Sequence, residues 1–405
     1  PRHRGGEHGA AGERPEGLSP LGEKEAERPL SKQKHVRRLD FDLLRVASMA
    51  AVVYLHTAAN GLRQSEDMAL WHLSNLLCSL GVAAVPLFFM LSGALLLGSE
   101  KTDDPVYLLR RRLPRVAVPG LCWSLLVIAG VWLTQGGEIA LLKLVNLPAI
   151  SVITPYWFLY ALIPMYLLSP LLKRLTDHME ERHWRYLLGL WVVVTLGLNQ
   201  LSGFLPDPWY ALLRENQTLN VSVLEGYLGY FLLGAWLEGL EKPPSRRVLL
   251  AAVLGSWAVI TLGTWIVFLV TGTYGQQFAT YRGIFTMALS ASLFLLFREL
   301  FRGRRSGRVA ILLSACSFGV YLAHPMAIEL LQKLLGGGLT VPGQLAVWLL
   351  SLVGCVLGVV LVSSVPGLCF LATGQRFRDA CRESNVFALL RLRHRKAGGK
   401  RLPPQ

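Results

Sequence analysis

Apolar runs of about 20 residues, separated by short polar segments, recur along nearly the whole chain from Leu43 onward. A helix needs about 20 residues to cross the roughly 30 Å hydrocarbon core of a bilayer. On that measure the pattern predicts spans at 42–60, 74–98, 114–134, 156–173, 186–204, 221–239, 247–270, 279–298, 309–333 and 343–372. The last is long enough to be tilted, or broken near Pro366. The predicted fold is all-α: a polytopic membrane helix bundle of about ten transmembrane helices. Residues 1–35 are rich in Gly, Pro, Glu and Arg and poor in large apolar residues. Such a segment cannot bury enough surface to order itself, so it is expected to be a disordered tail. The expected organisation is that tail, a transmembrane domain over 36–373, and a basic tail over 374–405. No cleavable signal precedes the first run, which is therefore expected to serve as an uncleaved anchor.

Composition strengthens the membrane reading. Of the 405 residues 52% are hydrophobic and only 17% are charged, and mean hydropathy is +0.41. A soluble protein of this size needs more charge to cover its surface. The net charge of +15 could point to nucleic acid, but it sits in short clusters between apolar runs, without zinc-finger or aromatic-basic motifs, so no nucleic-acid partner is expected. Those clusters, at the segments through Arg45, 99–115, 173–185, 240–247, 298–308 and from Arg376 onward, hold 36 of the 41 Lys and Arg. The other five are Arg63, Lys143, Arg214, Arg282 and Lys333, all predicted near the opposite face. By the positive-inside rule both termini are then cytoplasmic, which requires an even number of spans. The six cysteines form no CxxC pair and predict neither a disulfide framework nor a metal site.

Three segments fall outside the spans. Ile139 to Ile150 is apolar but too short to cross, and is expected to be re-entrant or flat on the surface. The sequons beginning at Asn216 and Asn220 carry little weight. The basic stretch from Arg376 to Arg401, with apolar residues interspersed, reads as a surface segment held by anionic membrane lipids.

Ionisable groups inside spans are costly, and each is a functional candidate. Eleven helical steps of about 100° bring His56 within about 20° of Arg45, with an axial separation of about 16 Å. One helix face thus carries a cation near the cytoplasmic interface and an imidazole, suited to proton transfer, near mid-membrane. Asn60 continues that face. Alone, Arg45 could be an interface anchor and His56 a histidine bonded to a backbone carbonyl; sharing a stripe favours a site. Arg112 and Arg115, three apart beside Pro114, either anchor the third span or present two forks to a phosphate-bearing ligand. Tyr156, Trp157 and Phe158 read as an aromatic belt at the outer interface. Tyr321 and His324 lie inside the ninth span, where Pro325 frees a backbone carbonyl, and Glu329 is a possible partner for His324.

Taken together these residues resemble the membrane-bound acyltransferase 3 family, O-acyltransferases of bacterial surface carbohydrates. The resemblance covers about residues 36–372. It rests on Arg37-Arg38-Leu39-Asp40-Phe41-Asp42-Leu43-Leu44-Arg45 with His56 eleven positions on, Pro86 to Gly93, Arg112-x-x-Arg115, Tyr156 to Leu159, and Tyr321-Leu322-Ala323-His324-Pro325. Within the family the chain looks closest to the enzymes that O-acetylate enterobacterial common antigen. It departs from the O-antigen acetylase pattern at Leu162, where an acidic residue would stand. No esterase-like domain follows the last span, implying that the membrane domain completes the transfer. The resemblance implies a bacterial inner-membrane location and acetyl-CoA as co-substrate, its phosphates met by Arg112, Arg115 and Arg45. It further implies His56 as the group assisting transfer, and a glycan or lipid-linked sugar as acceptor. A proton-coupled transporter is the alternative from another class. Against it, the two halves show neither an internal repeat nor paired broken helices.

Overall fold

The computed structural model describes residues 37–64, 66–206, 226–335 and 339–389. The predicted N-terminal tail and both sequons lie outside them. From Arg38 onward the chain forms one compact unit, and its named elements are helices, as the apolar pattern requires.

Helix α1 is Leu39–Gln64, opened by Asp40 and Asp42, whose charges favour a helix N-terminus. The expected span 74–98 is two helices, α2 (Met68–Gly81) and α3 (Ala84–Leu97). Pro86 has no N–H to donate to Val82, so the hydrogen-bond ladder is interrupted there. A single turn at Pro105–Tyr107 then runs through a wide turn, in which Leu113 N–H bonds Leu108 O at 2.9 Å, into α4 (Pro114–Gln135). Helix α5 (Gly137–Asn146) is the predicted short apolar segment; only Ala140 in it is buried. Helix α6 is Trp157–Asp177, and α7 (Glu181–Trp191) continues through Val192–Gly197 into α8 (Leu198–Ser202). Then follow α9 (Leu228–Gly239), α10 (Arg246–Thr271), α11 (Ile284–Leu300), α12 (Arg308–Leu334), α13 (Val341–Val362), α14 (Pro366–Thr373) and α15 (Phe377–Glu383).

Among the described residues seven helical stretches are long and apolar enough to cross a bilayer: 39–64, 68–97, 105–135, 154–177, 246–271, 308–334 and 341–362. The protein is a multi-pass membrane protein. The other three expected spans correspond to the α7–α8 segment, α9 and α11. Helix α9 has 12 residues and α11 has 17, short of a full crossing. Helix α9 packs inside the bundle, with Tyr230 and Phe231 fully buried. It crosses α3 at backbone contact. A Cβ on Gly93 would lie 1.8 Å from Phe231 O, and one on Gly234 would lie 2.1 Å from Met90 O.

The last expected span breaks at Pro366, which opens α14. Beyond it the basic tail does not run free along the surface. Ser384 and Asn385 are fully buried; Asn385 Nδ2 donates to Ser363 O at 3.3 Å and Ser384 Oγ to Gln375 Oε1 at 2.5 Å. Ser384 and Asn385 thus find their partners in the protein, while Arg376, Arg378 and Arg382 stay exposed.

Candidate active site

Helices α1 and α12 lie side by side, packing Met49 and Val53 against Cys316 and Val320 with α13 behind. Both carry a basic cluster at their start, so they run in the same direction. At the basic end Arg45 Nη1 donates to Ser314 Oγ at 3.1 Å and stands 3.9 Å from Asp42 Oδ1. Asp42 is buried and accepts from Ser306 Oγ at 2.5 Å. Ten residues along α12, about 15 Å of helix, His324 meets His56 of α1. Their ring centroids are 5.1 Å apart and the planes tilt by 43°. The predicted Arg45–His56 stripe therefore faces a matching Ser314–His324 stripe.

His324 is fully buried, and its tautomer follows from the residue after it. Pro325 has no N–H, so the carbonyl of Tyr321, four residues back, lacks its helical donor. His324 Nδ1 lies 2.6 Å from that oxygen. A carbonyl only accepts, so in the neutral ring Nδ1 carries the hydrogen and Nε2 is left as a lone pair. Nε2 is buried and has no hydrogen-bond partner. Glu329, the predicted partner, instead pairs with Lys333 at 2.7 Å on an exposed face. Five residues past His324, it lies well round the helix from the buried side.

The turn before α6 completes the histidine layer. Tyr156 donates to Leu322 O at 2.6 Å, and Tyr321 donates back to Pro155 O. The Tyr321 ring is 5.8 Å from His324 and 6.4 Å from Tyr156. This corrects the belt reading: Tyr156 is fully buried and Phe158 nearly so, because their side chains turn inward to α12. Leu162, where an acidic partner was sought, is buried and apolar. Asn60 is exposed, one turn beyond His56.

At the basic end Arg45, Arg112 and Arg115 all lie near the Tyr166 hydroxyl of α6. The Nε atoms of Arg112 and Arg115 are buried without a hydrogen bond. Arg115 Nη2 is 3.7 Å from Asp379 of α15, and a Cβ on Gly374, held at φ +69°, would lie 1.9 Å from Arg115 O. The docked tail thus braces Arg115. Tyr166, Ser314 and Asp379 were not found by sequence reasoning. Helical phase could have marked Ser314, but the sequence held no signal for Asp379.

Two layers result, one of guanidinium groups and one of imidazoles, on a single helix seam. A family model for an acyltransferase domain matches residues 38–364, most of the chain and all of this seam. The chain belongs to the acyltransferase 3 family. It is also 24% identical over 187 residues to inner membrane protein YcfT of Escherichia coli (strain K12), covering 45% of this chain and 43% of that protein. The match thus spans less than half the relative's length. No solved structure matches the chain.

Proposed function

We propose that this family member is a membrane O-acetyltransferase of the type that modifies enterobacterial common antigen. In this reading it moves an acetyl group from cytoplasmic acetyl-CoA to a hydroxyl of a cell-surface or lipid-linked carbohydrate. The seam carries the reading: three arginines converge at the basic end, and a histidine pair stands about 15 Å deeper. The positive-inside rule makes the basic end cytoplasmic, and the family resemblance supports a bacterial inner membrane. Arg112 and Arg115 offer planar forks to the phosphates of acetyl-CoA, with Arg45 behind them, and the thioester extends along the seam.

At the histidine layer His56 takes the proton of the acceptor hydroxyl as its oxygen attacks the thioester carbonyl carbon. The new C–O bond forms, the C–S bond breaks, and the proton passes to the leaving sulfur. His324, fixed with its hydrogen on Nδ1, presents the Nε2 lone pair to His56. That lone pair has no partner in the resting structure, so it is open to accept the His56 N–H when the imidazole turns toward it during transfer. Burial excludes water, which would otherwise hydrolyse the thioester.

The test is the glycan mass of cells with and without the protein. An added acetyl group only when the protein is present is expected, and identical glycans would overturn the reading. Substrate flux in proteoliposomes with no acetylated product would favour a transporter instead.

A further inference from the structure

The face of α1 turned away from the histidine seam lines a cavity of about 300 Å³, shared with α2, α3, α11 and Trp348 of α13. Ala51, in its wall, is five residues from His56, about 140° round the helix. Small residues make the room: Ala47, Ala51, Gly81, Ala83 and Ala84 stand where larger side chains would fill it. The polar groups along the wall are engaged or buried. Tyr54 Oη accepts from Gln344 Nε2 at 2.9 Å, Trp348 Nε1 donates to Ala50 O at 3.0 Å, and Ser48 Oγ is buried. An occupant therefore finds apolar contacts here, and an apolar cavity half that size stays dry and takes up benzene. On α1 the cavity runs from Leu44 to Tyr54, about 15 Å of helix. That is half the roughly 30 Å hydrocarbon core, the depth of one leaflet. Ala47 is exposed at its side, which leaves a way in from the bilayer.

At the basic end the wall is Leu44 of α1 and Phe297 of α11. The turn after α11 joins the start of α1 at that end. Leu39 N–H donates to Arg304 O at 3.1 Å, and Arg38 and Arg305 pair across one antiparallel bridge. The Phe301 ring lies 5.9 Å from that of Phe297, and the Arg304 guanidinium stands 6.0 Å from the Phe301 ring. Arg304 and Arg305 are both exposed, and among the described residues neither is ion-paired with a carboxylate. Backbone and ring contacts thus hold two guanidinium groups beside an apolar cavity one leaflet deep. Basic residues at the membrane surface attract anionic headgroups, and the cavity behind them takes the chain.

We propose that this cavity holds one acyl chain of an anionic phospholipid, whose phosphate lies on Arg304 and Arg305. The chain supports α1 from behind, away from the face that carries His56. The proposal does not rest on the acetyl-transfer reading; it needs only a bundle that spans a bilayer with its basic end at one interface.

The test is native mass spectrometry of the full chain, delipidated in detergent. It is titrated with dioleoyl phosphatidylglycerol, dioleoyl phosphatidylcholine or glycerol 3-phosphate. One phosphatidylglycerol is expected to bind at least about tenfold tighter than phosphatidylcholine, with no binding of glycerol 3-phosphate at the same concentrations. Arg304→Gln combined with Arg305→Gln should remove that preference. Ala51→Leu, which fills the cavity, should weaken phosphatidylglycerol binding about tenfold; if it fails to fold, Ala47→Leu at the exposed side replaces it. Arg376→Gln combined with Arg378→Gln, equally exposed and basic at α15, should change nothing. The proposal is overturned if the wild type does not distinguish the two phospholipids or if the Arg304/Arg305 variant keeps the preference. It is equally overturned if a folded cavity-filling variant binds undiminished, if glycerol 3-phosphate binds as well as the lipid, or if the Arg376/Arg378 variant loses the preference too.

Discussion

Pro325 acts through what it lacks. Without its N–H, the Tyr321 carbonyl is open to His324 Nδ1, and that bond fixes which imidazole nitrogen is basic. Pro325→Ala returns a helical N–H to compete for the carbonyl, so the tautomer should become mixed. Acetyl transfer is then expected to fall about tenfold without loss of thermal stability, because general-base catalysis supplies about 10²–10⁴-fold and only part of it is lost. The check is the turnover number together with ¹⁵N chemical shifts of the imidazole; unchanged shifts and rate would remove the tautomer argument. At the other layer, Arg112→Gln should raise the acetyl-CoA KM about tenfold or more, since a charge-assisted hydrogen bond contributes about 1.5–3 kcal/mol. Arg112→Lys keeps the charge but not the fork and should fall between. Initial-rate kinetics decide it. Much of this layer was legible beforehand. Helical phase alone joined Arg45 to His56, and the Pro after His324 signalled a freed carbonyl. The partner of His324 was not legible, because Glu329 is near in sequence while the facing His56 is 268 positions away.

Among the elements, α3 and α9 show where sequence pattern reaches its limit. Both are apolar all round, so neither has a periodic face that names its neighbour. Their close crossing depends on Gly93 and Gly234, which a sequence offers only as two glycines among 39. Gly93→Ala would drive a methyl into the Phe231 backbone, where no side chain can yield. A loss of more than about 3 kcal/mol is expected, read as thermal stability in detergent. Gly130→Ala on α4, with nothing within 4 Å of the added carbon, should stay within about 1 kcal/mol of the wild type. The same blindness explains Tyr156. An aromatic run at a span's end reads as a belt by composition, and only the reciprocal hydrogen bonds to α12 reveal that it turns inward. Pro86 and Pro366, by contrast, interrupt spans where their missing N–H groups demand it.

For the molecule as a whole, the charge asymmetry that orients the chain also sorts its chemistry, with the guanidinium groups at the basic end and the imidazoles deeper along the seam. That sorting has a direct topological consequence. In a background carrying Cys122→Ser and Cys381→Ser, a cysteine at Lys242 should react with a membrane-impermeant maleimide only in inside-out vesicles. One at Thr273 should react in spheroplasts, and the reverse pattern would invert the bundle. The account's central claim is that the α1–α12 seam transfers acetyl groups through its histidine layer. Its most direct measurement is transfer of label from acetyl-CoA by purified wild type and by His56→Ala of matched thermal stability. Loss of about 10²–10⁴-fold in the variant is predicted; undiminished transfer would contradict it.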